Sequence, residues 1–312
     1  MSQTQQNISS SAEPYYVASA GDFFQLMKPR VMSLVIFTGF AGMYLAPSVG
    51  EVTISTILLG AISLFAIAAG AGASGAINQW YDRDIDAVMK RTMDRPIPSG
   101  RVQSEEALAL GLVISVLSVL LLSLSSNLLA GGLLAFTIFF YAVIYSIWLK
   151  RRTPQNIVIG GAAGALPPMV GWAAITGTVS VESLLLFAII FVWTPPHFWA
   201  LALVKNDDYQ AANVPMLPVV AGERETKNQI LIYSLVLAPL GVLPYIIGMS
   251  SVAYGGLSAV LGAVFVLKAW QLKQDDGLAR AMPLFTFSLY YLTILFFALI
   301  ADKFVLELIH AA

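Results

Sequence analysis

Cysteine is absent from all 312 residues. That excludes disulfides, thiolate zinc sites, iron–sulfur clusters and haem attachment through Cys. Charge is scarce as well: Asp, Glu, Lys and Arg make up 11% of the chain, less than half the roughly 25% of a soluble domain. The net charge is −1, so no bulk field draws the chain to nucleic acid. The first 30 residues lack the basic start and short apolar core of a secretory signal. Glu13 and Asp22 precede Arg30, the first Arg, so an Arg-rich, acid-poor transit peptide is not expected either. Residues 1–22 read as a disordered N-terminal tail and residues 23–312 as one membrane domain. A bacterial plasma (inner) membrane fits better than an organelle.

What is abundant is apolar: 58% of the residues. Nine segments are long enough to span, given about 20 residues per crossing: 31–47, 54–80, 106–125, 128–149, 156–176, 183–204, 229–248, 252–271 and 283–301. The expected fold is all-α, a multi-pass integral membrane protein. Basic residues test the count. Lys28 and Arg30 precede the first span. Arg83, Lys90, Arg91, Arg95 and Arg101 follow the second, Lys150, Arg151 and Arg152 the fourth, Lys205, Arg224 and Lys227 the sixth, and Lys268, Lys273 and Arg280 the eighth. The opposite connections, near Glu51, Asn127, Glu182 and Ser250, carry none, and only Lys303 falls on that side. The positive-inside rule then puts the N-terminus inside and the C-terminus outside. Two long loops, 81–105 and 205–228, lie on the inner face. Ser104 reads as the cap of the third span, and Thr226-x-x-Gln229 as a capping box before the seventh.

The most informative stretch is Asn78-x₃-Asp82-x₃-Asp86, followed by Arg91 and Arg95-Pro96. Residues four apart share one face of a helix. Two carboxylates so placed, at a wet helix end, hold Mg²⁺ from one side and leave its other positions for water and a diphosphate. Arg91 and Arg95 suit the remaining phosphate oxygens. A solvated helix cap is the bland alternative; the register and the paired Arg favour the metal–diphosphate reading. Asp84 points about 200° away from Asp82 and is not expected to take part. Asp207 and Asp208 close the sixth span and offer a second metal position, but adjacent residues point about 100° apart and cannot form a one-face pair. Upstream, Trp193-Thr-Pro195-Pro196-His197-Phe-Trp199 sets an ionisable group inside a span, a functional candidate by default. A structural His bonded near a proline kink is the alternative. Trp193 and Trp199 read equally as interfacial anchors or as cavity walls. Pro167-Pro168 is expected to break the fifth span. A weak repeat relates spans one to four to spans five to eight, each half having an aromatic, acidic exit after its second member.

Asn78-x₃-Asp82-x₃-Asp86-x₄-Arg91-x₃-Arg95-Pro96 resembles the first Asp-rich motif of the UbiA-type intramembrane prenyltransferases. The run from Trp193 to Ala202, with Asp207-Asp208-Tyr209 and Pro215-Met-Leu-Pro, resembles the branch that farnesylates protohaem. The resemblance covers nearly all of the chain after residue 22. It implies nine helices around a central cavity and Mg²⁺ as cofactor, with farnesyl diphosphate and haem B as substrates and haem O as product. It also implies membrane lipid as the medium and a haem A synthase or terminal-oxidase assembly factors as partners. By this resemblance Asp82, Asp86, Arg91 and Arg95 are catalytic and Asn78, Asp82, Asp86, Asp207 and Asp208 hold metal. Asn78, Lys205, His197, Trp193, Trp199 and Tyr209 bind substrate. The chain departs from the broader family at the second motif, where Ala211 and Ala212 stand four residues after Asp207 and Asp208. Two competing readings are a prenyltransferase for a quinone precursor and a secondary transporter. The His197 segment argues against the first. The edge position of the acids argues against the second.

Overall fold

The computed structural model describes residues 17–47, 50 and 53–311. Among them there is no strand, as expected where lipid leaves every backbone polar group to be satisfied within its own segment. In chain order the helices are α1 (Ala20–Leu26), α2 (Pro29–Leu45), α3 (Ile54–Tyr81), α4 (Arg83–Val88), α5 (Ser104–Ser125) and α6 (Leu128–Phe139). After these come α7 (Asn156–Ala165), α8 (Pro167–Thr176), α9 (Val181–Val204), α10 (Asn206–Ala211), α11 (Leu217–Ile246), α12 (Val252–Gln274) and α13 (Ala281–Ala311). α6 runs on as a π-helix over Phe140–Leu149. Eight helices, counting α6 with its π extension and α7 with α8 as one each, are long and apolar enough to cross a membrane; α2, with 17 residues, is shorter. Leu112, Val113, Val116, Leu117 and Leu120 of α5 stay exposed, an outward apolar face that suits lipid. The chain is a multi-pass membrane protein.

Several boundaries differ from expectation. The tail expected over 1–22 does not include its last residues. Ser19 opens α1 with a capping box, Asp22 accepting from the Ser19 amide at 3.0 Å and hydroxyl at 2.6 Å, and Asp22 is buried. Residues 1–16 lie outside the described residues. The cap of α5 is Gln103, not Ser104, with Glu106 reaching back to the Gln103 amide. No capping box forms at Thr226, because α11 starts at Leu217, well before the expected 229, and is broken at Gly222 (φ 79). Thr226 instead donates to the Gly222 carbonyl. Most of the second long loop is thereby helical. The division of the third and fourth spans is clean: Asn127 caps α6 by accepting from the Ala130 amide and donates to the Ala173 carbonyl.

Pro167 and Pro168 do separate α7 from α8, and both sit in the first turn, where no amide donor is missed. Helical conformation persists in α9 through Pro195 and Pro196. Close packing depends on small residues. A Cβ on Gly42 would lie 1.9 Å from the Pro168 carbonyl oxygen, and one on Gly171 2.1 Å from that of Gly39. α2 and α8 therefore cross backbone to backbone, a contact that only glycine permits.

Candidate functional site

α3 ends at Tyr81, and Asp82 sits between α3 and α4 with a non-helical ψ of 6°. The four-residue ladder nevertheless continues, Asp82 N to Asn78 O at 2.9 Å and Asp86 N to Asp82 O at 2.8 Å. Asn78, Asp82 and Asp86 thus keep a common face across the break. That face is not the wet helix end expected: their exposures are 3%, 0% and 2%. Asp84 points outward, as expected, and pairs with Arg151 at 2.6 and 2.7 Å, a bond that holds its carboxyl below the usual range.

Buried carboxylates need partners. Asp82 Oδ2 accepts from Asn78 Nδ2 at 2.6 Å and from the Lys150 ammonium, while Arg151 lies 3.6 Å from Oδ1. Asp86 accepts from Arg95 at 2.6 Å. Lys28 donates to Asn78 Oδ1 and, at 3.3 Å, to the Tyr141 hydroxyl. Enclosure by protein and the nearby Arg95 lower the Lys28 ammonium to about 7, against the pull of Asp82 and Asp86. Lys28, Lys150, Tyr141 and Ser146 were missed as site residues. Lys28 and Lys150 counted only as topology signals, and they stand 50 and 68 positions from their partners.

The π-helix presents several of these groups. Ser146 donates to the Tyr141 carbonyl five residues back at 2.8 Å and accepts from Asn78 Nδ2 at 2.9 Å. In an α-helix residues five apart point roughly 140° apart. The wider π turn brings Tyr141 and Ser146 to the same side, next to Asn78. π segments are frequent at functional sites.

The second acidic stretch repeats the first in form. α9 ends at Val204, Lys205 is the non-helical junction, and α10 follows, so Asp207 and Asp208 do not close α9 but sit in the first turn of α10, favoured by its dipole. Ile85 and Met89 pack with Ile157, Ala202, Tyr209, Val214 and Met216, and this apolar cluster draws the two stretches together. A cleft of about 360 Å³ lies between them, lined by Lys90, Arg91, Val204, Lys205, Asp207 and Asp208. Asp207 is exposed and Asp208 half-buried. Burial raises the Tyr209 phenol; the Arg91 guanidinium beside it opposes this, and Asp208 adds to it.

Among the described residues no three acidic or His side chains close into a metal cage. The donor set instead fits a cation held from one side. Asp82 Oδ1 is buried and lacks a hydrogen-bond partner, with the Arg151 guanidinium at 3.6 Å its nearest cation and Arg151 Nε likewise unpartnered. Arg151 beside it, Lys150 on the other oxygen, Lys28 on Asn78 and Arg95 on Asp86 supply positive charge to this face.

His197 lies apart from this cluster. Its ring stacks on Trp193 at 4.2 Å and on Phe285 at 4.5 Å, and Nδ1 meets Ser288 Oγ at 2.6 Å. Ser288 has one proton, and it goes to the Phe285 carbonyl at 2.6 Å. Both bonds are satisfied only if His197 Nδ1–H donates, which leaves the Nε2 lone pair free. Trp193 Nε1 donates to the Ser288 carbonyl. Trp199 is fully buried and stacks edge-on with Tyr233, away from His197. Neither Trp is an interfacial anchor.

Known proteins resemble the chain along most of its length. The UbiA prenyltransferase family matches residues 35–300. A protein of Mesorhizobium japonicum, "Protoheme IX farnesyltransferase 2", is 58% identical over 290 residues, covering 92% of this chain and 91% of its own length. The "Protoheme IX farnesyltransferase" of Agrobacterium fabrum is 56% identical over 291 residues, covering 92% and 90%. Among solved structures, one described as giving insights into digeranylgeranylglyceryl phosphate synthase in membranes superposes with a TM-score of 0.74 at 20% identity, covering 90% of this chain and 97% of that one. A UbiA homolog from Archaeoglobus fulgidus bound to DMAPP and Mg²⁺ gives 0.65 at 16%, covering 90% and 99%. The last two speak for the fold alone. With a family match over most of its length, and two buried carboxylates ringed by cations at one end of a helical bundle, the chain belongs to the UbiA prenyltransferase family.

Proposed function

We propose that the chain transfers the farnesyl group of farnesyl diphosphate to a vinyl group of haem B, with addition of water, giving haem O and diphosphate. The observation that carries the donor half is the buried Asp82–Asp86 face, on which Asp82 Oδ1 accepts no hydrogen bond and has Arg151 at 3.6 Å, with Lys28, Lys150 and Arg95 bonded to its neighbours. The acceptor half rests on relatives more than half identical along nine-tenths of the chain.

Asp82, Asp86 and Asn78 would hold Mg²⁺, with Asp208, and Asp207 beside it, offering a second position across the cleft. Bound there, the metal supplies charge neutralisation for the diphosphate. Arg91, Arg95, Lys205, Lys28 and Lys150 stabilise the leaving charge. Rupture of the C–O bond leaves an allylic cation, which aromatic walls shield from water. The vinyl group attacks it, the positive charge moves to the vinyl carbon next to the ring, and water adds there and loses a proton to complete the hydroxyethyl group. Tyr209, kept protonated by burial, orients Arg91. His197, with Nε2 free, ligates the haem iron and fixes the porphyrin deeper in the bilayer. Nine crossings, with α2 as the first, put the N-terminus inside and the C-terminus outside a bacterial inner membrane. The product suits a downstream haem A synthase or oxidase assembly factor.

The test is haem extraction from a bacterial strain lacking haem O and expressing this chain. Wild type and Asp84→Asn accumulate haem O; Asp82→Asn and Asp86→Asn, present in the membrane at normal levels, do not. Normal haem O from both buried-Asp variants would overturn the assignment.

A further inference from the structure

The seven-residue α1 is too short to hold itself. Three sets of contacts fix it. Leu26 packs with Ala76, Ile97, Val102 and Ala107 in a small apolar cluster at the end of α3. Gln79, beside Asn78 and almost fully buried, donates to the carbonyls of Leu26 at 2.9 Å and Gln25 at 3.3 Å. Arg101 makes the third set. Its Nε donates to Asp22 Oδ1 at 2.8 Å, and one terminal nitrogen donates to Gln25 Oε1 at 3.3 Å and to the Asp94 carbonyl at 2.9 Å.

These ties have consequences at both ends. Asp94 precedes Arg95, which pairs with Asp86. α1 ends at Leu26 with Met27 as its C-cap, and the next residue, Lys28, adopts a left-handed conformation (φ 53) before reaching Asn78. That conformation is uncommon for a non-glycine residue and persists only where its surroundings hold it. One guanidinium therefore spans the two segments that deliver Lys28 and Arg95.

We infer that Asp22 and Arg101 are positioning residues for prenyl transfer: their ion pair locks α1 to the 94–101 loop so that Lys28 and Arg95 converge on the diphosphate. The inference rests on the reading of this end as the diphosphate site. The apolar cluster around Leu26 supplies the folding contacts; the pair supplies register.

The test uses the purified full chain in lipid nanodiscs. Arg101→Lys keeps the charge but gives up the planar fork that serves Asp22, Gln25 and Asp94 together. It should raise KM for farnesyl diphosphate about tenfold, since small misplacements of binding groups are costly. KM for haem B and the thermal midpoint should stay put. Asp22→Asn should do the same, and Asp22→Asn with Arg101→Lys should be no worse than either alone, as expected of residues acting as a unit. Inhibition by inorganic diphosphate with Mg²⁺ should weaken in parallel. Unchanged KM for farnesyl diphosphate in both single variants would overturn the inference. So would equal rises in both KM values with a lowered midpoint, which mark a structural role only. Wild-type protein that binds no diphosphate would overturn the underlying reading as well; wild-type binding with unaltered variants overturns this inference alone.

Discussion

Ser288 decides what His197 can do. By giving its own proton to the Phe285 carbonyl it leaves Oγ as an acceptor for Nδ1–H, and the imidazole presents Nε2. A His held by a hydrogen bond at Nδ1 and stacked between two rings is preorganised as a ligand. Ser288→Ala should weaken haem B binding about tenfold, the usual scale for losing the group that orients a ligating His. His197→Ala should alter the Soret band and abolish haem O formation, while Mg²⁺-dependent binding of farnesyl diphosphate persists. An unchanged Soret band with lowered thermal stability would mark His197 as a packing residue. The residue-level reading from sequence was uneven for a physical reason. Asn78, Asp82 and Asp86 were legible because the helical period is local. Lys28, Lys150 and Ser146 were not, because they come from other helices and no local rule specifies which distant cation meets a carboxylate.

At the level of elements, the two helix breaks matter most. α3 and α9 each end at a non-helical residue, Asp82 and Lys205, and each restarts as a six-residue helix carrying acids. The weak repeat in the sequence hinted at this, but the breaks themselves have no proline or glycine to announce them. The π-helix is likewise silent in sequence: Phe140–Leu149 reads as ordinary apolar helix. α1 did have a signal, Ser19-x-x-Asp22, which closes its capping box. The crossing of α2 and α8 yields a stability prediction. Gly42→Ala and Gly171→Ala each force a Cβ against backbone, with neither partner a flexible side chain. Each should cost about 3 kcal/mol or more, the upper end of overpacking penalties. Gly164→Ala meets nothing within 4 Å and should be neutral. Thermal unfolding in detergent checks the contrast; equal midpoints for all three variants would contradict the packing described.

For the whole molecule, bilayer physics made the architecture readable. Spans need apolar length, and cations collect on one face, so helix existence and order followed from composition. What did not follow was how one end is knitted together, since Arg101, Arg151 and the 94–101 loop act through contacts between segments. The same charge distribution predicts topology. The chain has no cysteine, so single ones can be introduced cleanly. Ser250 is buried and makes a poor probe; Thr178, exposed between α8 and α9, is better. In intact cells an impermeant thiol reagent should label Thr178→Cys and spare Ser99→Cys; the reverse would invert the proposed orientation. The central claim is chemical, and the mass of the porphyrin tests it most directly. Purified protein with haem B, farnesyl diphosphate and Mg²⁺ should yield a porphyrin heavier by one farnesyl group and one hydroxyl group, with diphosphate and a proton released and no product in EDTA. Haem B recovered unchanged, with Mg²⁺ present and the protein folded, would contradict the account.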